Sequence, residues 1–498
     1  MNVNPITRLD YPDPDVIRVE DTYYMVSTTM HFMPGCEILQ SFDLVHWEHV
    51  TYVYETLDHT DAQQLKSGQN IYGQGMWAAS LRYHEGRFCI CFVANDTRKT
   101  YLYTSEKIDG PWKKQLIEGF YHDGSLLFDE DGRNYIVYGN DEIWITELNE
   151  DLTAPKKDGL HRLLVSDHKN PELGYEGSHI QKINGYYYIF LIHSLRDRWM
   201  RTEACFYSDS LEGEFTGGDV LCDDRGYCGQ GVAQGGIVDT PDGKWYAMLF
   251  QDSGAVGRIP ILLPVTWKDH FPFFGQNGHV PEEIEVHSTR PGYIYQPLVG
   301  SDDFCNGLLP RWQFNHDPDP RYYHLDALQG TYTITTREVC TELTQAVNTL
   351  TQRMSYPSCA AEVTVDASAL KEGDVAGLCA LQSCYAAVGI TKHHGKYEVL
   401  MLDKKEDGIL DMTEGTVVES HQMDFRLEAD FCNMKDEARC YYRVNKGDWL
   451  PIGTVHKLYF KLDHFTGCRF GLFCYAAEET GGNACFRDFK YYDVDEIS

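Results

Sequence analysis

Three carboxylates, Asp13, Asp123 and Glu176, stand at one spacing ahead of a strand–turn–strand pattern that recurs five times in the first half of the chain. The copies begin at Pro14, Ser80, Gly124, Gly177 and Gly235. Counting nine residues back from the turn glycines Gly86, Gly132, Gly185 and Gly243 reaches Trp77, Asp123, Glu176 and Gln234. In the first copy Thr22 takes the glycine slot, and the same count reaches Asp13. Carboxylates converging on a sugar-sized pocket are what cleavage of a glycosidic bond needs. One protonates the leaving oxygen, and one activates water or attacks the anomeric carbon. The acid must stay protonated near neutral pH although a free Glu titrates near 4.3; raising it by two to three units takes about 3–4 kcal/mol. A third carboxylate nearby and partial desolvation by aromatics supply such a shift. Taken singly, each of these residues also reads as a turn or cap residue ahead of a strand.

The elements that must hold them are short. Glu85-Gly86, Asp131-Gly132, Asn184-Gly185 and Asp242-Gly243 are hairpin turn pairs, because glycine accepts the positive φ such turns demand. Repeated hairpins of this kind imply blades around an axis, which brings equivalent positions together. On that reading Trp77 is either a core aromatic or a platform for a sugar ring. Gln234 either lines the pocket or satisfies backbone groups. Helical periodicity is nearly absent, so the class is all-β. The blades are assigned to residues 1–290 and a patternless linker to 291–301. Residues 302–498 carry longer alternating strands such as Ala361–Val365 and Tyr397–Leu402, which read as a separate β-sandwich.

A chain of 498 residues exceeds one ordinary core, in line with two domains. The formal net charge of −32 excludes a phosphate-binding surface and disfavours anionic membranes, so neither nucleic acid nor membrane is expected as a partner. Sixteen cysteines are scattered without a C-x-x-C pair, which reads as free thiols. The start MNVNPITRLD lacks a basic-then-apolar leader, giving a cytoplasmic expectation. The sequence does not specify an oligomeric state.

Several longer stretches resemble glycoside hydrolase family 43: Asn4-Pro5-Ile6, Tyr11-Pro12-Asp13-Pro14-Asp15, Met33-Pro34-Gly35, Ser41-Phe42-Asp43-Leu44-Val45-His46-Trp47, Gly75-Met76-Trp77-Ala78 and Tyr175-Glu176-Gly177-Ser178-His179-Ile180. Asn348–Arg353 and Gly373–Leu378 look like the sandwich of the family's two-domain β-xylosidases and α-L-arabinofuranosidases. The resemblance implies a five-bladed β-propeller followed by a concanavalin-like (jelly-roll) β-sandwich, and inverting chemistry. In it Asp13 is the general base, Glu176 the general acid and Asp123 the residue tuning the acid. It further implies that Arg258 contacts the sugar and that Phe32 walls the terminal-sugar pocket. A sandwich loop, not identifiable in the sequence, is expected to narrow the cleft for exo action. Many family members carry histidine where Gln234 stands, supporting a water network and sometimes Ca2+. Glutamine cannot be protonated, so no cofactor is required on this reading and Ca2+ remains the one candidate. The implied substrate is a plant-wall oligosaccharide with terminal or branching xylose or arabinofuranose, between which the sequence does not choose. A non-catalytic carbohydrate-binding protein on the same scaffold would show loss of a carboxylate, and all three are present.

Overall fold

The computed structural model describes residues 2–493. Five four-stranded antiparallel sheets follow one another in chain order, each a simple meander. Their innermost strands are Asp15–Val19, Met76–His84, Ser125–Phe128, Glu176–Ile183 and Val232–Asp239. The hairpin turns follow their sequences. His84 pairs with Arg87 and Ile183 with Tyr186, leaving two-residue loops whose residues all have positive φ: Glu85 49°, Gly86 78°, Asn184 51° and Gly185 85°. Blades 3 and 5 instead use five-residue loops, since Phe128 pairs with Asn134 and Asp239 with Trp245. In blade 1 Val19 pairs with Thr22, so the turn is Glu20-Asp21 and Thr22 already belongs to the second strand.

The propeller has no single core. Among the described residues every junction between neighbouring blades carries its own apolar cluster, and the junction of blades 4 and 5 carries two. Examples are Val26, Ile38, Met76 and Ile90 between blades 1 and 2, and Val16, Met25, Val238 and Met248 between blades 5 and 1. This explains the near-continuous apolar second strands, such as Phe88–Ala94, which are covered on both faces. Blade 5 is built entirely from late residues, so the ring closes without an exchanged strand. Its seam is held by that last cluster, by pairing of Asn2–Val3 with Glu283–Ile284, and by the Asn4 side chain. The Asn4 amide donates to the Leu262 carbonyl at 2.7 Å and accepts from the Leu262 amide at 3.1 Å.

The stretch assigned as a linker is pinned to blade 1. The Tyr293 ring lies 4.6 Å from Phe42, and the Phe42 amide donates to the Tyr295 hydroxyl at 2.9 Å. Beyond it two antiparallel sheets enclose a large apolar core, the sandwich expected from alternation. The two domains share a sheet. Gln313–Asn315 of the sandwich pairs with Phe32–Met33, a short strand in the first propeller loop, so that sheet ends inside the propeller. A buried ion pair reinforces the junction: Arg353 of the sandwich donates to Glu37 at 2.9 Å and to the Asp10 carbonyl at 2.9 Å.

Candidate active site

Each innermost strand carries a β-bulge at the same end. Register shifts fall between Met76 and Ala79, Glu176 and His179, and Ala233 and Gly236. Blades 1 and 3 repeat the feature, because the Pro12 and His122 carbonyls bond Thr28 and Gly139, one residue out of step with the Asp15–Val26 and Ser125–Val137 pairs. A bulge bends its strand and re-aims the side chain. The first bulged residues are Asp13, Trp77, Asp123, Gly177 and Gln234. Asp13, Asp123, Gly177 and Gln234 adopt left-handed backbone, φ 52°, 47°, 65° and 60°. In blade 4 the count of nine therefore falls one residue early: Gly177 occupies the shared position, and Glu176 is the paired residue before it. Glycine is required there, since a Cβ on Gly177 would lie 2.7 Å from the Gln234 side chain.

The structure brings the three carboxylates to one face. Asp123 is buried and its Oδ2 accepts the Gly177 amide at 3.0 Å, tying it to the residue beside Glu176. His122 Nε2 lies 3.5 Å from both Asp123 Oδ2 and Glu176 Oε2. Asn140, from the outer end of the next strand, donates to Glu176 Oε2 at 2.7 Å. Burial, together with the charges of Glu176 and Asp13, pushes the Asp123 carboxyl up to about 6 against the pull of His122. Burial works against the charged imidazolium of His122, but the surrounding carboxylates, Asp123 first, overcome it and raise His122 to about 9. Asp13 accepts from the Thr28 hydroxyl at 2.6 Å and from Arg258 Nη1 at 2.9 Å.

The remaining wall comes from the sandwich. Phe465, in the loop before Arg469–Ala476, places its ring 4.1 Å from the Arg258 guanidinium and 5.6 Å from the Trp77 ring. Trp77 in turn lies 5.8 Å from His122, and its buried Nε1 has no hydrogen-bond partner among the described residues. Contacts thus run unbroken from Asp13 through Arg258, Phe465, Trp77 and His122 to Glu176. Gln234 sits behind these residues. Its amide donates to Glu203 at 2.7 Å, and burial raises the Glu203 carboxyl well above the usual range.

Phe32 departs from expectation. Its ring is buried in the sandwich cluster with Leu343, Val375 and Phe473, and the Arg469 guanidinium covers it at 3.4 Å. The Phe32–Met33 strand is drawn into the sandwich sheet, so the aromatic it delivers cements the interface instead of walling a sugar pocket. The loop contribution comes from Phe465, which lies far along the chain from every motif and carries no local signal. His122 was within reach of sequence reasoning, since it immediately precedes Asp123.

Ca2+ takes six to eight oxygens, mainly carboxylates and carbonyls. Gln234 offers one amide oxygen, and its partner Glu203 is bound to the Gln234 backbone. Among the described residues, the one group of three His, Cys, Asp or Glu side chains close enough to share an ion is His122, Asp123 and Glu176, in the carboxylate cluster itself. The donor set around Gln234 does not fit Ca2+. Further along the axis Asp15 is committed to Arg82 at 2.7 Å and to His179 at 3.1 Å. That cluster separates the carboxylates from a cavity of about 410 Å³ at the opposite mouth, lined by Arg18, Tyr83, Phe128, Lys182 and Trp245.

Residues 3–272 match Glycosyl hydrolases family 43, and residues 301–492 match the Beta xylosidase C-terminal Concanavalin A-like domain. A solved bifunctional GH43-CE protein of Bacteroides eggerthii is 42% identical, with a TM-score of 0.93 over 100% of this chain, which spans 64% of that protein's length. A GH43 enzyme engineered to display both endo-xylanase and exo-arabinofuranosidase activity is 27% identical, with a TM-score of 0.86 over 99% of both chains. A beta-xylosidase of Formosa agariphila is 26% identical over 99% of this chain and 89% of its own. With five blades, a carboxylate cluster at their bulged ends and a concanavalin-like partner domain, the chain belongs to glycosyl hydrolase family 43 and is a glycoside hydrolase acting on carbohydrate.

Proposed function

We propose that this glycoside hydrolase is an exo-acting, inverting pentosidase that removes single xylose or arabinofuranose units from plant-wall oligosaccharides. Glu176 is the general acid, Asp13 the general base and Asp123 the group that sets the acid's charge and orientation. The observation that carries this reading is the convergence of three carboxylates from three blades on one face, with Phe465 of the other domain packed between Arg258 and Trp77. Asn140 and His122 orient the Glu176 carboxyl toward a leaving oxygen. Arg258 and Thr28 fix both oxygens of Asp13, leaving it aimed at a water on the opposite side. Phe465 and Trp77, in contact with each other, make one apolar wall against which a terminal ring packs. The names of relatives, beta-xylosidase and exo-arabinofuranosidase among them, favour a pentose.

Release of 4-nitrophenol from the β-D-xyloside and the α-L-arabinofuranoside tests the substrate class. Proton NMR of the first-formed sugar tests the stereochemistry. A folded protein inactive on both glycosides overturns the pentosidase reading, and a retained anomeric configuration overturns the roles of Asp13 and Glu176.

A further inference from the structure

Blade 4 carries more than Glu176. Its second and third strands, Tyr186–Ser194 and Arg201–Ser208, are joined at the carboxylate face by a short loop bearing Trp199, whose large side chain is 45% exposed. The loop is built, not loose. The buried Ser194 hydroxyl accepts the Met200 amide at 2.9 Å, and the Leu195 amide donates to the Met200 carbonyl at 3.1 Å. The Arg201 guanidinium stands 5.6 Å from the Trp199 ring on one side and 5.1 Å from Phe250 on the other. Arg258, which holds Asp13, lies 5.4 Å from that same Phe250 ring. Asp252 anchors Arg201 at 3.2 Å.

The pairing register gives the position. Glu176 pairs with Ile192, and Ile192 with Glu203; Arg201 lies two residues further toward the face, opposite Ser194. Two strand spacings across and two residues along place the Arg201 backbone roughly 12 Å from that of Glu176. That is about the span of a disaccharide. The direction also matters. A general acid stands beside the oxygen it protonates, so the departing part of the substrate extends over the blade that carries Glu176. The charge there is balanced: Arg196 pairs with Asp167, Arg198 with Asp197 and Arg201 with Asp252, which suits a neutral sugar better than a uronate.

We propose that Trp199 is the stacking platform for a neutral sugar unit on the departing side of the scissile bond, with Arg201 bracing its rear face. This rests on the role of Glu176 given above. It makes the loop at 195–200 a determinant of which oligosaccharide backbone the enzyme accepts, separate from the pocket that selects the terminal ring.

The test compares two substrates with the same terminal pentose, a methyl glycoside and a trisaccharide, in wild type, Trp199→Ala and Trp199→Phe. Trp199→Ala is expected to lower kcat/KM for the trisaccharide about tenfold more than for the methyl glycoside, mainly through KM, as loss of about 1.4 kcal/mol of stacking implies. Trp199→Phe, which keeps a ring, recovers part of that difference. Equal losses on both substrates, or none on either, overturn the platform. A second arm does not need turnover: in a Glu176→Gln background, the ratio of the Kd for xylotriose to that for xylose changes on Trp199→Ala, with xylotriose weakened about tenfold relative to xylose. An unchanged ratio also overturns the proposal. Wild-type inactivity on both pentosides counts against the pentosidase reading alone where xylotriose still binds, and failure of the Glu176→Gln protein to bind xylotriose overturns the platform.

Discussion

The carboxylate of Asp10 accepts the backbone amide of Arg258 at 2.7 Å. Its other oxygen accepts the amide of Gly467, in the sandwich loop that carries Phe465, at 2.8 Å. One buried side chain thus sets the backbone of the arginine that touches Asp13 and the backbone of the loop that covers that arginine. Both neighbours are shaped for it: Gly257 has φ +105° and a Cβ there would sit 2.4 Å from Asp10 Oδ1, while a Cβ on Gly467 would lie 2.1 Å from the Val256 carbonyl.

Asp10→Ala strands two buried amides, each costing about 1–3 kcal/mol. Stability measured by urea unfolding should drop by a few kcal/mol, and activity should fall even where the protein stays folded. Asp10→Asn keeps one oxygen acceptor and should lose less of both. An Asp10→Ala enzyme with wild-type turnover would show that the pocket does not depend on this tie.

For Glu176→Gln, hydrolysis of substrates with poor leaving groups should fall by about 10²–10⁴. The 4-nitrophenyl glycosides, whose leaving group departs with little protonation, should be much less affected. Steady-state rates across leaving groups of graded acidity provide the measurement, and a uniform loss would remove Glu176 from the acid role.

His122 and Asp123 make stability pH-dependent in one direction. Folding raises both: Asp123 from 3.8 to about 6, and His122 from 6.5 to about 9. Folding therefore favours the protonated form of each. The stability attached to His122 is complete below pH 6.5 and is lost as pH rises through about 9; that attached to Asp123 is complete below 3.8 and lost through about 6. The His122 contribution is at most about 3 kcal/mol. Denaturant unfolding from pH 6 to 9.5 should show this decline, and His122→Asn should flatten it. A His122→Asn slope equal to wild type would mean the decline arises elsewhere.

Arg353 and Glu37 form a buried pair between the domains, with exposures of 5% and 3%. Burial alone would raise the Glu37 carboxyl, but Arg353 and His49 hold it at about 2. Arg353→Met should cost about 3–5 kcal/mol by leaving Glu37 uncompensated, and the double change with Glu37→Leu should recover most of that loss. Both are read from urea midpoints. A double variant no better than the single would show that the contacts of Arg353 with the Asp10 carbonyl and, at 3.2 Å, with the Tyr11 hydroxyl dominate.

The propeller was legible because each blade repeats one hairpin with its own turn chemistry, and repeated turns report equivalent backbone. Asp13 and Asp123 followed from that register. Glu176 was found one residue off the shared bulge, since blade 4 has five paired residues ahead of its two-residue turn where blade 2 has six. A fixed count cannot register that difference. The family resemblance puts Phe32 on the pocket wall, yet its strand pairs with residues some 280 positions later, which no motif around Phe32 encodes. Phe465 and Asp10 were invisible for the same reason: their partners are set by how the two domains meet, which no local pattern encodes.

The shared sheet has a practical meaning for recombination. The two family matches, 3–272 and 301–492, invite a cut between them. Such a cut would separate Phe32–Met33 from Gln313–Asn315 and Arg353 from Glu37, and would take Phe465 away from Arg258. Chimeras between relatives that change the sandwich should therefore carry the blade-1 loop around Phe32 with it. In this enzyme the unit that can be exchanged is defined by hydrogen-bonded contact, and it is not contiguous in the gene.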